Sequence, residues 1–198
     1  MKILGLTGSI GMGKTTSAMM LRRLGVPVHN ADATVHALFA PGGAAVAAVE
    51  AAFPGVVTAG TVDRVALGAK VFGDDPALKR LEAIVHPLVR QAERKFLAMH
   101  RRRRTALVVL DIPLLFESGG EQRCDSIIVV SCPAFLQAQR VLARPGMTEA
   151  RLRIILARQM PDWEKRKRAD FVVQTGLGRI FALRRLKAVI RGMVSGSV

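Results

Sequence analysis

The stretch "GLTGSIGMGKTT", residues 5–16, constrains this chain more than any other. It fits G-x-x-x-x-G-K-[ST] from Gly8 through Gly13, Lys14 and Thr15. Glycines let a backbone turn tightly and aim successive N–H groups inward, where a side chain would block the approach of an anion. A lysine at this position reaches the β- and γ-phosphates of a nucleotide, and the hydroxyl after it can hold Mg²⁺. The flanks fit the same geometry. "KILGLT" (2–7) reads as a short buried strand and "KTTSAMMLRRLG" as a helix, with Ala18, Met19, Leu21 and Leu24 at helical spacing and Gly25 as its stop. A helix that begins at the loop turns the positive end of its dipole toward the anion. A chance glycine-rich turn is the bland alternative, and the strand–loop–helix order argues against it.

A loop of this kind needs a parallel sheet behind it, and the chain supplies one. "VPVHN" (26–30) is a second strand candidate, and "DFVVQT" (170–175) a fifth. Between them, "TALVVLDIP" (105–113) and "SIIVVSC" (126–132) are continuous apolar runs, as strands buried on both faces are. Strands alternating with helices predict an α/β fold: a five-stranded parallel sheet with helices on both faces. Ligands of such sheets bind at the edge formed by the strand C-termini. Asp32 follows the second strand and Asp111 ends the third, so two carboxylates and the loop are expected to converge there. Each has a plain structural alternative. Asp32 could cap the helix "DATVHALF", and Asp111 could satisfy loop amides.

Two segments interrupt the alternation. Residues 58–104 read as a mostly helical insertion suited to an acceptor, with Leu81, Ile84, Val85, Leu88, Ala92 and Phe96 along one face. Pro87 predicts a kink or break there, near His86. Residues 132–163 read as a helix–turn–helix lid, with "RPGMT" as its turn. Arg140 and Arg144 are four apart and are expected on one helix face, and Arg151 and Arg158 on the next helix. Arginines there could neutralise charge developing during phosphoryl transfer, although a solvated surface hairpin would look the same. The remaining segments, 1–57, 105–131 and 164–198, make the nucleotide-binding core.

Composition narrows the partners. With 198 residues and half of them hydrophobic, the chain can bury a core, and no apolar run approaches the ~20 residues of a membrane span. The apolar run at the N-terminus is short and leads straight into the loop, so no secretory leader is expected. Cys124 and Cys132 have no metal-binding spacing and read as free thiols of a reducing cytoplasm. The formal charge is +15, from 30 Lys and Arg against 15 Asp and Glu, which suits anionic partners. "HRRRR" (100–104) resembles a nucleic-acid patch, but a chain with one Trp and no Tyr has few stacking platforms, and a cationic helix end explains the run.

Five segments now carry a resemblance. "GLTGSIGMGKTT", "NADATVHAL", "IVHPLV", "DIPLLFE" and "QAQRVLAR…ILARQM…EKRKRADFVV" resemble, in order, segments of the dephospho-CoA kinase family, from residue 5 to about 176. The resemblance implies a P-loop nucleoside-monophosphate-kinase-like fold. It also implies ATP- and Mg²⁺-dependent phosphorylation of the ribose 3′-hydroxyl of dephospho-CoA in the cytoplasm, giving CoA and ADP. Carried over by position, it makes Asp32 the residue that takes the hydroxyl proton, with Lys14 and Arg140 stabilising the phosphates. Gly11, Met12, Gly13, Lys14, Thr15 and Thr16 would bind ATP, with Arg144 and Thr175 as further ATP contacts. Thr175 stands where family members often have Asn. His86, Leu114, Leu115, Phe116 and Glu117 lie in segments near the acceptor, and Thr15 and Asp111 would seat the metal. Rival readings are another P-loop small-molecule kinase and a nucleic-acid-binding P-loop protein. A GTPase is disfavoured, since no N-K-x-D or D-x-x-G follows the loop.

Overall fold

The computed structural model describes residues 1–195. Residues 196–198, the end of the third core segment expected above, lie outside the described residues. Along the chain run β1 (Lys2–Thr7), α1 (Lys14–Arg23), β2 (Val28–Asn30), α2 (Ala31–Phe39), α3 (Val46–Ala52), β3 (Val57–Thr58) and β4 (Thr61–Val62). These are followed by α4 (Arg64–Val71), α5 (Asp75–Arg102), β5 (Leu107–Asp111), β6 (Ser126–Ser131), α6 (Ala134–Leu142), α7 (Glu149–Ala157), α8 (Asp162–Arg168), β7 (Phe171–Gln174) and α9 (Arg179–Ser195).

The five expected strands form one sheet in the order β2-β5-β1-β6-β7. β1 pairs in parallel with β5 and β6, with Ile3 beside Val108 and Gly5 beside Ile127, and β6 pairs in parallel with β7. Strand side chains alternate between faces. On one face Leu4, Leu6, Val109, Ile128, Val130 and Val173 join Ala18 and Leu21 of α1 and Ala182, Leu186 and Val189 of α9 in one apolar cluster. Val108, Leu110 and Val129, facing the other way, are also buried. Burial on both faces is why these strands read as unbroken apolar runs. In α1, Ala18 and Leu21 are buried as their spacing predicts, whereas Met19 stands exposed.

The chain divides into two compact units: Met1–His29 together with the chain from His100 onward, and Asn30–Met99. The second unit is larger than the 58–104 insertion expected from sequence. Its core explains the difference: Phe39 of α2 and Val49 of α3 cluster with Val62, Leu67, Ala77 and Val85, so residues 31–57 pack with the helical segment. The unit also contains a hairpin, β3–β4, which pairs Val57 with Val62 and Thr58 with Thr61.

Helix α5 runs unbroken through Pro87. A proline inside a helix lacks one backbone donor and costs about 3 kcal/mol. Leu81, Ile84 and Val85 before it and Leu88 and Val89 after it all pack on the same apolar cluster. Burial along that face outweighs the missing bond.

Candidate active site

The glycine loop lies between β1 and α1, and its shape depends on its glycines. Gly11 has φ +78°, in the left-handed region that side chains avoid, and a Cβ there would stand 2.6 Å from Val141 Cγ2. At Gly8 a Cβ would stand 2.7 Å from the Val130 carbonyl oxygen, so β6 passes too close for any side chain. Gly13 is the N-cap of α1, and no side chain caps that helix end among the described residues. Its first-turn N–H groups, including those of Thr15 and Thr16, therefore remain suited to an anion. Met12 turns its side chain into the core, where its sulfur accepts from the Cys132 backbone N–H at 3.1 Å. Whatever Met12 offers a ligand comes from its backbone.

Lys14 and Asp111 meet, as the sheet-edge argument expects. Lys14 Nζ donates to Asp111 Oδ1 at 2.8 Å, and Asp111 is almost fully buried at the end of β5. A carboxylate so placed anchors the lysine beside the glycine loop. The hydroxyl of Thr15 and the carboxylate of Asp111 are hard oxygen donors, which suit Mg²⁺. Among the described residues no group of three or more His, Cys, Asp or Glu could form an all-protein metal cage.

The helical hairpin α6–α7 is tied to the loop at both of its roots. From α6, Gln137 Nε2 donates to the Ile10 carbonyl at 2.8 Å. Past α7, Gln159 Oε1 accepts from the Ile10 N–H at 3.1 Å. Arg140 is tied in as well. Its Nη1 and Nη2 donate to Thr175 Oγ1 and Thr175 O, each at 3.1 Å, and Nη1 lies 3.4 Å from the Gly11 carbonyl. Thr175 in turn donates to the Met12 carbonyl at 2.8 Å. Thr175, expected as an ATP contact, is a link between the glycine loop and Arg140 in this structure. Burial pushes the Cys132 thiol above its ordinary range, while the nearby Arg140 charge and the Thr175 hydrogen bond pull it down.

Arg144 does not share a helix face with Arg140. Helix α6 ends at Leu142, and Arg144 lies exposed in the turn before Thr148, the N-cap of α7. Arg151 is on α7, with Nη1 donating to the Gly146 carbonyl at 2.6 Å, and Arg158 caps the end of that helix. The turn signals in "RPGMT" stopped the helix earlier than the arginine spacing implied.

Past β5, Leu115 and Phe116 are buried and Leu114 is exposed. Glu117 lies 2.8 Å from Lys165 Nζ on α8, and its Oε1 also accepts from the Met160 N–H at 2.8 Å. The Lys165 side chain is entirely buried. Asp162, at the start of α8, accepts from Ser131 Oγ at 2.8 Å at the end of β6. Gln137, Gln159, Lys165 and Asp162 had not been singled out from sequence. The glutamines carry no charge to draw notice, and Lys165 sits within a run, "EKRKR", that reads as solvated.

Asp32 belongs to the second unit, in the first turn of α2. Asn30, not Asp32, caps that helix: its Oδ1 accepts from the Ala33 N–H at 2.7 Å. The capping alternative for Asp32 therefore falls. His86 lies exposed on α5 in the same unit.

Comparison with known proteins accords with the geometry. The family model for dephospho-CoA kinase matches residues 2–178. A dephospho-CoA kinase of Paramagnetospirillum magneticum is 76% identical, over 100% of this chain and 92% of its own length. One from Rhodospirillum rubrum is 63% identical, over 98% of this chain and 92% of its own length. Among solved structures, the dephospho-CoA kinase of Campylobacter jejuni superposes with a TM-score of 0.74 at 26% identity, covering 100% of both chains. A shikimate kinase from Acinetobacter baumannii, at 18% identity and a TM-score of 0.52 over 100% of this chain and 96% of its own, shares the fold. The loop, the sheet and these matches together make the chain a member of the dephospho-CoA kinase family.

Proposed function

We propose that the chain transfers the γ-phosphoryl group of ATP to the ribose 3′-hydroxyl of dephospho-CoA, giving CoA and ADP, the last step of coenzyme A synthesis. The observation that carries this reading is the family match, which runs from β1 to the loop past β7 and so takes in both units. The anchored Lys14 beside the glycine loop supports it.

Phosphoryl transfer requires positioning and charge stabilisation more than covalent chemistry. Gly11, Met12, Gly13, Lys14, Thr15 and Thr16 hold the triphosphate through backbone N–H groups and the lysine ammonium. Thr15 and, through water, Asp111 would hold Mg²⁺, which would supply charge neutralisation at the phosphates. Asp32 accepts the proton of the incoming hydroxyl and orients its oxygen for in-line attack. Arg140 acts on the charge developing at the transferred group, from the root of a lid formed by residues 132–163. Arg144, exposed in the lid turn, is a further ATP contact, and Thr175 serves the nucleotide by holding Arg140 and the Met12 carbonyl. His86 and the exposed Leu114 are the acceptor contacts. Leu115 and Phe116 anchor the segment behind Leu114, and Glu117 fixes its far end through Lys165.

Cys124 and Cys132, in no disulfide among the described residues, support a cytoplasmic setting, and no helix among the described residues is long and apolar enough to cross a membrane. An ADP-release assay across a panel of acceptors tests the reading. Dephospho-CoA should be turned over far faster than shikimate, gluconate or nucleoside monophosphates. A faster rate with any of these would reassign the acceptor.

A further inference from the structure

Ile10 lies inside the glycine loop, and two glutamines grip it from opposite ends of the hairpin. Gln137, on α6 and nearly buried, donates its amide N–H to the Ile10 carbonyl at 2.8 Å. Gln159, just past α7, offers its amide oxygen to the Ile10 N–H at 3.1 Å. The polarities are fixed by chemistry. A backbone carbonyl can only accept and a backbone N–H can only donate, so Gln137 must present its NH₂ and Gln159 its oxygen. The chain between the two glutamines is the α6–α7 hairpin. Both of its roots therefore terminate on one residue of the loop.

We propose that Gln137 and Gln159 are positioning residues that clamp Ile10, fixing the phosphate loop's backbone from the two roots of the lid. The clamp rests on the reading of residues 8–15 as a nucleotide cradle. It has a direct geometric consequence. The Ile10 carbonyl, Gly11 carbonyl and Met12 carbonyl are drawn respectively to Gln137, Arg140 and Thr175. With successive carbonyls held on the side of the hairpin and of Thr175, the loop has fewer ways to rotate its peptide planes. The N–H groups meant for phosphate then hold their aim before ATP arrives, which is where preorganised catalysis gains rate. Because one loop residue takes both contacts, a shift of either root disturbs the same peptide units. Lid position and cradle shape become one variable.

The test uses the full chain. Gln137→Met and Gln159→Met keep side-chain length but remove the polar contacts. Each should lower kcat about tenfold, the scale of one lost hydrogen bond at a positioned backbone. The acceptor KM should stay within about twofold, since neither residue is assigned to the acceptor. The double variant should lose much less than the product of the two single losses, because both act through Ile10. Two further variants separate clamping from general packing or charge. Gln159→Glu keeps an oxygen for the Ile10 N–H, whereas Gln137→Glu sets a carboxylate against a carbonyl. Both add the same charge, so the second should be at least about tenfold worse in kcat than the first.

Equal losses for the two glutamates, multiplicative losses for the two methionines, or wild-type kcat in either methionine variant would overturn the clamp. Thermal melts identify any variant that fails to fold, and the methionine pair decides the matter if Gln137→Glu does. Calorimetric titration of the wild-type chain with a non-hydrolysable ATP analogue separates the two claims. No binding would overturn the cradle and the clamp together; binding with unaffected variants would overturn the clamp alone.

Discussion

As the proposed acceptor of the hydroxyl proton, Asp32 carries the phosphotransferase reading beyond nucleotide binding, and its substitution tests that role. Asn30 supplies the N-cap of α2 through the Ala33 N–H, so that cap bond does not depend on Asp32. Asp32→Asn keeps size and much of the hydrogen bonding but removes basicity. Folding and ATP affinity should stay near wild type, and transfer to dephospho-CoA should fall by about 10²-fold or more, the usual scale for a positioned base. Steady-state kinetics beside a thermal melt read both quantities, and an intact kcat would leave the base unassigned. Arg140 calls for a different variant. Its planar fork makes two bonds to Thr175 and approaches the Gly11 carbonyl, a pattern that the point charge of lysine cannot reproduce. Arg140→Ala should lower kcat more than it raises acceptor KM, and Arg140→Lys should recover little of the loss. A rise in acceptor KM with unchanged kcat would move Arg140 to the acceptor side.

Among the elements, the joint between α8 and the segment past β5 contains a buried ion pair. Lys165 is wholly buried and its ammonium lies against Glu117. Deleting one partner of a buried pair strands the other charge, at a typical cost of about 3–5 kcal/mol. Glu117→Gln should therefore lower the melting temperature well before it alters acceptor KM. A stable Glu117→Gln protein with a raised acceptor KM would instead make Glu117 a substrate contact. Such joints show why legibility differed between elements. The sheet was readable because β1, β5 and β6 are buried on both faces and must be apolar throughout. The Lys14–Asp111 meeting was readable because parallel strands bring their C-terminal ends to one edge. Hairpin β3–β4 escaped notice because its strands are two residues each. Its signal was "VTAGTV", β-branched pairs around a turn in which Ala59 and Gly60 both have positive φ. The Glu117–Lys165 pair and the Ile10 clamp were not readable, since they join residues whose nearness depends on how α6, α7 and α8 pack. Arg144 was misplaced by arithmetic that took a four-residue spacing as proof of a shared helix, although the turn residues after it were in plain view.

For the molecule as a whole, the charge is the property that no single site explains. Lys and Arg number 30 against 15 Asp and Glu, a formal +15. Only a few of these cations have roles assigned above: Lys14 at the loop, Arg140 at the hairpin root, Arg144 in the lid turn and Lys165 in its buried pair. The proposed substrates are both polyanions, so the remaining excess should act on encounter, not on chemistry. A field of one sign raises the local concentration of oppositely charged ligands and speeds association, and salt screens it over about 10 Å at 0.1 M. The loop contacts are short-range and partly buried, so they are screened much less. Raising ionic strength from about 0.05 M to about 0.5 M should then lower kcat/KM for dephospho-CoA by roughly tenfold while kcat changes little. Salts with weakly binding anions are needed, so that competition at the phosphate loop does not imitate screening. A flat kcat/KM across that range would mean that the excess is background composition spread too evenly to steer anything. A parallel fall in kcat would instead place the sensitive charges in the transition state, and would point to Arg140 and its neighbours rather than to the surface.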